Sequence, residues 1–295
     1  MSNLLIAGLV LLYTMQAAFC NLYSKYYPGK KKFSSPVYSV VYGLVVALAT
    51  WALARFRFTA APVTFLFGAA AGAALTAYNT LLIRASDTGP FSVLMTFNLS
   101  GGILIPVLWS VFHDGDVLGV WQYLAIAVLL VSFLFLNWEK KRPGDDTRPP
   151  LRFYLYSTLL AVTNGAYEVL LNEQKKAVGG TEDAEMIVVT FAFSALLALG
   201  ILTARSGREL PAALRLGGRA SLSLLGAALS AASAVNLLMF SLARVHMAVL
   251  FSLNIGGVLV VSVLWSAIGL REKFPPQRVV GLCLAAAAIF ALSIL

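Results

Sequence analysis

The feature that most constrains this chain is a series of ten continuous apolar runs, each long enough to cross a bilayer as a helix. Such a helix needs about 20 mainly apolar residues. Strands are not expected, because the runs do not alternate and they exceed the roughly ten residues of a membrane strand. The runs lie near residues 4–27, 36–54, 62–83, 90–112, 118–137, 152–173, 184–204, 219–243, 246–269 and 276–295.

The composition also indicates a membrane protein. Hydrophobic residues make up 59% of the 295 residues and charged residues only 12%, whereas soluble domains carry about 25% charged residues. The net charge is +9, but the basic residues fall almost wholly between the apolar runs, so we expect no nucleic-acid partner. Cys20 and Cys283 lie inside apolar runs, which predicts neither a disulfide nor a metal site.

One apolar run occurs twice. Residues 93–110 read VLMTFNLSGGILIPVLWS, and residues 249–266 read VLFSLNIGGVLVVSVLWS. Apolar composition can make two helices look alike, but it does not align an Asn, a Gly and a Trp-Ser pair. We interpret the match as a duplication. The residues of the first run that are identical in the second are Val93, Leu94, Asn98, Gly101, Val107, Leu108, Trp109 and Ser110.

The longest polar segment divides the chain into five runs and five runs. Residues 139–150, EKKRPGDDTRPP, combine prolines with mixed charges, as a solvated linker does. We therefore predict a first five-helix repeat over 1–138, a polar linker over 139–150 and a second repeat over 151–295. Because five is odd, the second copy must enter the membrane from the opposite side. The predicted fold is an all-α membrane protein of ten transmembrane helices arranged as two inverted five-helix repeats.

Other runs support the same division. In the third and eighth runs Asn79 aligns with Asn236, and in the first and sixth runs Gln16 aligns with Asn164. Gly68 and Gly72 form a G-x-x-x-G motif on the third run, which favours close packing of helix backbones in lipid.

The basic residues predict an orientation. Short loops rich in Lys and Arg face the cytoplasm, and the odd-numbered connections hold most of the 22 Lys and Arg residues. This bias places the odd-numbered connections inside and both termini outside. The basic residues of the even-numbered connections are Arg55, Arg57, Lys175, Lys176 and Arg244.

The junction of the ninth and tenth runs, VLWSAIGLREKFPPQRVVGLCL, carries Gly269, Glu272, Gln277 and Gly281. This pattern, within two five-helix copies that cover the whole chain, resembles the drug/metabolite transporter superfamily, in particular its EamA-like ten-helix transporters. The first copy matches less well, since it offers Asp116 and Gln122 but no Glu. The resemblance implies a secondary transporter of small organic solutes with a central cavity lined by both halves. It also implies cytoplasmic termini, contrary to the charge distribution.

Glu168 is the strongest candidate for coupling or cation recognition. An acid within a membrane helix is costly and usually faces a cavity or a partner. At about 1.5 Å rise per residue, Glu168 lies roughly 9 Å beyond the middle of the sixth run, within the hydrocarbon layer. It shares a helix face with Asn164 and adjoins Tyr167. The alternative is a glutamate near the helix end that reaches the interface, beside Glu173 and Lys175.

Six amides and two tyrosines form the predicted solute-binding set. Asn98 and Asn254 precede Gly101 and Gly257 by one turn, so an amide and bare backbone share a helix face. In lipid such an amide must bind a neighbouring helix or a solute, and both alternatives stay open. The full predicted set is Gln16, Tyr78, Asn79, Asn98, Asn164, Tyr167, Asn236 and Asn254.

The chemistry expected of this chain is transport rather than catalysis. His113 and His246 have no partner at metal spacing, and no nucleophile elbow or phosphate loop is present. We expect no enzyme activity, no cofactor and no metal. The leading hypothesis is a multi-pass carrier in the plasma or inner membrane that moves a small polar organic solute, such as an amino acid, an amine or a related metabolite, by alternating access. Protons are a candidate coupling ion. The alternatives are an uncoupled facilitator or exchanger and a passive channel, with a monomer or a homodimer as the assembly.

Overall fold

The structure is a computed structural model that describes residues 2–29, 31–86, 88, 91–136, 150–269 and 276–294. This part of the chain is all-helical, as predicted, and each of the ten apolar runs coincides with a long helix. A 3₁₀ turn (Gly207–Glu209) and a four-residue helix, α8, lie between the seventh and eighth of these. The helices are α1 (Ser2–Tyr26), α2 (Lys31–Leu53), α3 (Pro62–Ser86), α4 (Phe91–Phe112), α5 (Val120–Leu136), α6 (Leu151–Ala177), α7 (Asp183–Ser206), α8 (Leu210–Ala213), α9 (Gly218–Leu242), α10 (Met247–Gly269) and α11 (Pro276–Ile294).

Local chemistry explains several helix ends. Pro62 opens α3, where its missing N–H would have no partner in any case. The turn after α6 closes when the N–H of Gly180 donates to the Lys175 carbonyl over 2.8 Å. Gly180 has a φ of +73° there, a conformation that glycine adopts without steric cost. After α2 the same region is occupied by Arg55 and Phe56, with φ of 55° and 59°.

Among the residues that the structure describes, four helices are long and apolar enough to cross a membrane. Helix α6 is not among them, although it has 27 residues. Its second half carries amides, acids and lysines, and a helix of this kind stays in lipid only where its polar face meets protein or water. The four apolar segments are Phe33–Leu53, Pro62–Leu82, Asp183–Ser206 and Gly218–Leu242.

The chain forms two compact units, and these differ from the two predicted sequence halves. Unit 1 comprises Met1–Val10, Leu81–Glu168 and Val245–Leu295, and unit 2 comprises Leu11–Thr80 and Val169–Arg244. Each unit therefore takes helices from both halves of the sequence. The predicted linker over 139–150 lies, except for its last residue, outside the described residues.

Unit 1 is built around the packing of α4, α5, α10 and α11. Helix α5 lies along α11, and α4 lies along α10. Leu129 and Phe133 of α5 are fully buried and form a cluster with Ile103 of α4 and Ala285 of α11. Apolar side chains packed this closely make many van der Waals contacts, which are individually small and collectively large. This packing holds the four helices of unit 1 together.

Unit 2 is built around α2, which packs along α7 and also contacts α9. Helix α3 approaches α7 through its G-x-x-x-G motif. A Cβ atom placed on Gly68 would lie 2.6 Å from Val189 Cγ1, and one on Gly72 would lie 2.6 Å from the Thr190 carbonyl oxygen. The two glycines thus allow the close backbone approach that the motif predicts.

Candidate functional site

In unit 1, helices α4 and α6 cross at glycines. A Cβ atom on Gly101 would lie within 2.6 Å of three main-chain atoms of Ala161. One on Gly165 would lie 2.7 Å from the Gly101 carbonyl oxygen and 2.5 Å from Ile105 Cβ. No side chain fits between the two backbones at this point. The crossing fixes which α6 side chains reach α4.

The predicted residues Asn98, Asn164 and Glu168 meet at this crossing. Asn164 Nδ2 donates a hydrogen bond of 3.1 Å to the main-chain oxygen of Asn98. Gly102 lies beside both α6 side chains: its missing Cβ would be 2.7 Å from Asn164 Nδ2, 3.5 Å from Glu168 Oε1 and 2.6 Å from Ile255 Cδ1. An amide, an acid and an aliphatic side chain from α10 therefore surround the space that Gly102 leaves open.

Glu168 is buried, with 8% of its surface exposed. Its Oε2 atom has no hydrogen-bond partner among the residues that the structure describes. Asn254 is 6% exposed, and its buried Oδ1 atom also has no hydrogen-bond partner among the described residues. Buried polar atoms are almost always hydrogen-bonded, so an exception calls for a reason. A solute donor or a cationic group would satisfy either oxygen, and a proton would satisfy the carboxylate of Glu168.

The predicted residues of unit 2 have different surroundings. Their amide nitrogens donate to side chains of α2: Gln16 Nε2 to the Tyr42 hydroxyl over 2.8 Å, Asn79 Nδ2 to Ser39 Oγ over 3.1 Å, and Asn236 Nδ2 to Thr50 Oγ1 over 2.9 Å. These bonds join α1, α3 and α9 to α2. For these donors the contact with a neighbouring helix, which the sequence left open beside solute contact, is the one observed.

The structure thus divides the predicted set into two groups. Glu168 and Asn254, each with one buried oxygen that lacks a partner among the described residues, belong to unit 1 together with the α4–α6 crossing, while the amides that bond to α2 belong to unit 2. Tyr78 and Tyr167 are both half-buried. Unit 1 contains Asn98, Asn164, Tyr167, Glu168 and Asn254, and unit 2 contains Gln16, Tyr78, Asn79 and Asn236.

Sequence reasoning missed Gly102. The comparison of the two copies aligns Gly102 with Val258, so the position was not conspicuous as part of the repeat. The signal was the offset between the two glycine pairs, because Gly101–Gly102 of the first copy and Gly256–Gly257 of the second differ in register by one residue and only Gly101 aligns with a glycine. Gly101 serves the helix crossing, and Gly102 opens space beside the acid.

The motif positions of the first copy lie at helix ends. Asp116 accepts a hydrogen bond from Ser110 Oγ and lies 3.6 Å from His246 Nδ1, both within unit 1. The Gln122 side-chain oxygen accepts from the Gly119 N–H over 2.9 Å, which satisfies a free donor at the start of α5. Both residues therefore stabilise chain turns. Glu272 of the second copy lies outside the described residues.

Comparison with known proteins identifies a solved structure of similar fold. No protein-family model matches the chain, and no curated protein matches it. A solved structure, described only as the crystal structure of a protein, is similar with a TM-score of 0.77 and 16% sequence identity, over 99% of this chain and 98% of the other. At that identity the likeness shows the fold alone.

Proposed function

We propose that this protein is a secondary-active transporter that moves a small polar organic solute across a membrane by alternating access. Its ten long helices would all span the membrane, as two inverted five-helix repeats of the kind that the resemblance to EamA-like transporters implies. The solute would be an amino acid, an amine or a related metabolite.

The pairing of helices supports the duplication behind this proposal. If the copies begin at α1 and α6, then α2 corresponds to α7, α4 to α10 and α5 to α11. Each of these pairs packs directly together. Corresponding helices meet in this way when two copies of one module associate about a common axis. Inverted repeats that associate so are a common basis of alternating access.

One observation carries the functional proposal: the buried Glu168 carboxyl, with Oε2 lacking a partner among the described residues, stands beside Gly102 and near Asn164 Nδ2. An acid that only stabilised helix packing would be expected to have both oxygens bonded. A carrier, in contrast, needs an acceptor that is satisfied only when a proton or a solute cation is present.

The arrangement suggests how the residues would act. A solute amine or hydroxyl would donate to Glu168 Oε2, and Asn164 and Asn254 would bind its other polar groups. Glu168 would carry the coupling proton while the solute site is empty and release it when a cationic solute binds. The close crossing at Gly101 would let α6 turn against α4 without side-chain obstruction.

The test uses the purified full-length chain in liposomes. Thermal-shift screening of a pool of amino acids, amines and nucleosides would identify a solute, and counterflow of that radiolabelled solute would be measured from pH 5 to 8. We expect saturable counterflow whose pH dependence is lost in Glu168→Gln. The matched control is Glu173→Gln on the same helix, because Glu173 already pairs with Lys176 Nζ at 3.2 Å.

The outcomes separate the alternatives. Counterflow by Glu168→Gln that matches the parent protein across the pH series would make the coupling role wrong and would favour an uncoupled exchanger. Flux without saturation would indicate a channel and would overturn the carrier proposal.

A further inference from the structure

Unit 2 also contains a pocket of about 430 Å³, whose lining residues have no part in the proposed transport site. The pocket lies where the C-terminal ends of α6 and α9 meet the N-terminus of α7. Its lining is mainly basic and apolar, with two glycines in the turn after α6. The lining residues on which the inference depends are Lys175, Lys176, Asp183, Phe240, Leu242 and Arg244.

Lys175 is a buried cation with donor capacity to spare. It is 8% exposed, and its Nζ atom donates to Asp183 Oδ2 and to the Met239 carbonyl oxygen. An ammonium group has three N–H donors, so these two bonds leave one. The Met239 carbonyl lies in the last turn of α9, where carbonyl oxygens lack helical partners. Lys175 therefore joins two helix ends and still offers one N–H at the pocket.

Arg244 supplies a second, accessible cation. Its guanidinium lies 3.5 Å from the centre of the Phe240 ring, and Nη1 donates to the Phe240 carbonyl oxygen over 2.8 Å. These contacts hold the planar group in place, while its other N–H groups have no hydrogen-bond partner within the described part of the chain. A guanidinium that is positioned in this way is suited to bind a phosphate oxygen pair.

The charge of the pocket favours an anion. Lys175, Lys176 and Arg244 face a single lining carboxylate, that of Asp183. Glu173 forms an ion pair with Lys176, with 3.2 Å between Glu173 Oε1 and Lys176 Nζ. Three cations therefore face two carboxylates, and the pocket keeps a net positive charge. Phe240 and Leu242 add an apolar wall. An anionic group attached to an apolar body matches this combination.

The position of the pocket indicates which class of molecule would supply this anionic group. Asp183 begins one of the four apolar segments long enough to span a membrane, and Leu242 ends another. The ends of spanning helices lie at the level of lipid headgroups, where basic pockets between helices bind lipid phosphates. We propose that this pocket binds the phosphate group of an anionic phospholipid through Arg244 and Lys175.

The test compares lipid retention by native mass spectrometry of the full-length protein in detergent with phosphatidylglycerol or phosphatidylcholine. We expect the parent protein to retain phosphatidylglycerol preferentially. Arg244→Gln should lower that retention roughly fivefold, since one basic residue near a membrane surface contributes about 1 kcal/mol. The matched control is Arg219→Gln at the other end of α9, whose guanidinium also stacks on a ring, 5.7 Å from the centre of Tyr26.

A second variant keeps the test independent of folding. Lys175→Met combined with Asp183→Asn removes both members of the buried pair, so that no buried charge is left alone. It should also lower phosphatidylglycerol retention. Equal retention by the parent protein, Arg244→Gln and the double variant would overturn the proposal, as would equal losses in Arg244→Gln and Arg219→Gln.

Soluble ligands distinguish the source of the phosphate. Inorganic phosphate and glycerol 3-phosphate would be added at millimolar concentration to the lipid-free protein, with chloride as the control. If they raise the melting temperature of the parent protein but not of Arg244→Gln, and no lipid is retained, the pocket takes a soluble phosphate and the lipid assignment is overturned. Lipid retention without this protection supports the lipid assignment.

Discussion

Gly101 and Gly257, which align when residues 93–110 are compared with 249–266, each contact a helix from the opposite half of the chain. Gly101 on α4 meets α6 at the backbone of Ala161, and Gly257 on α10 meets α1 at the side chain of Val10. The sequence comparison also aligns α1 with α6, so under the proposed duplication the two contacts would be the same interaction made twice. In both places the aligned glycine allows close packing of another helix.

The first prediction concerns Gly101→Ala. A methyl group there would overlap main-chain atoms of Ala161 within 2.6 Å, and a backbone cannot rotate out of the way. We expect a loss of about 1–3 kcal/mol of stability, the usual cost of overpacking, seen as a lower melting temperature in detergent. Gly257→Ala should cost less, because the nearest atom is Cγ2 of Val10, at 2.5 Å. Gly200→Ala, with no neighbour within 4 Å, is the control. Equal melting temperatures for all three would contradict the crossing.

The second prediction concerns Gly102→Ala, and it rests on the proposed function. The added methyl group would meet the ends of two side chains, Asn164 Nδ2 at 2.7 Å and Ile255 Cδ1 at 2.6 Å, which can turn aside. Stability should fall less than in Gly101→Ala, while displacement of the Asn164 amide should weaken solute binding about tenfold, the effect of one lost hydrogen bond. Titration of the identified solute measures this. Val258→Ala, at the equivalent position of the second copy, should leave affinity unchanged, and an unchanged affinity in Gly102→Ala would remove Gly102 from the site.

The third prediction concerns Asn236 and Thr50. If their 2.9 Å hydrogen bond serves helix packing, Asn236→Ala and Thr50→Val should show a coupling free energy of roughly 0.6 kcal/mol, and at most about 1.7, in a double-mutant cycle. Unfolding of the four proteins in mixed micelles gives this quantity. Solute affinity should stay the same in all four. A coupling near zero together with lower affinity in Asn236→Ala would assign the amide to the solute instead.

The fourth prediction concerns Glu182, which holds the connection between α2 and α3. Its Oε2 atom accepts from the Ala61 N–H over 2.9 Å and from Thr64 Oγ1. Glu182→Ala should raise hydrogen exchange at Ala61 by roughly tenfold or more, since a hydrogen bond to a charged acceptor contributes about 1.5–3 kcal/mol. Glu185→Ala is the control, because Glu185 makes one longer bond, 3.3 Å, to the Thr59 N–H. Equal exchange at Ala61 in both variants would contradict this role.

The fifth prediction concerns orientation, on which the charge distribution and the family resemblance disagree. We expect both termini outside, because the odd-numbered connections hold most of the basic residues. A protease-cleavable tag at the C-terminus should be cut on intact cells, and the same tag inserted in residues 139–150 should be protected. The reverse pattern would support the orientation that the resemblance implies.

The sequence by itself determined the helices. Continuous apolar runs predicted all ten of them, because a chain in lipid must satisfy its backbone hydrogen bonds within each segment, and this is a local property. The observed helix ends differ from the predicted ones by a few residues; for example, α6 ends at Ala177, whereas the sixth run was predicted to end at residue 173. The shared face of Asn164 and Glu168 was also local, since helical periodicity places residues four apart side by side.

Only the tertiary structure decided which partner each polar side chain takes. Sequence reasoning placed Asn236 and Asn254 in one predicted solute-binding set as amides in apolar helices, but Asn236 donates to Thr50 on α2, whereas the Asn254 oxygen has no partner in the described residues. Likewise, the sequence shows only that Lys175 lies near a helix end. In the structure its Nζ atom bonds to Asp183 of α7 and to the Met239 carbonyl oxygen of α9. These outcomes depend on contacts between segments far apart in the chain, because a hydrogen-bond partner is defined by distance in space and not by helical periodicity.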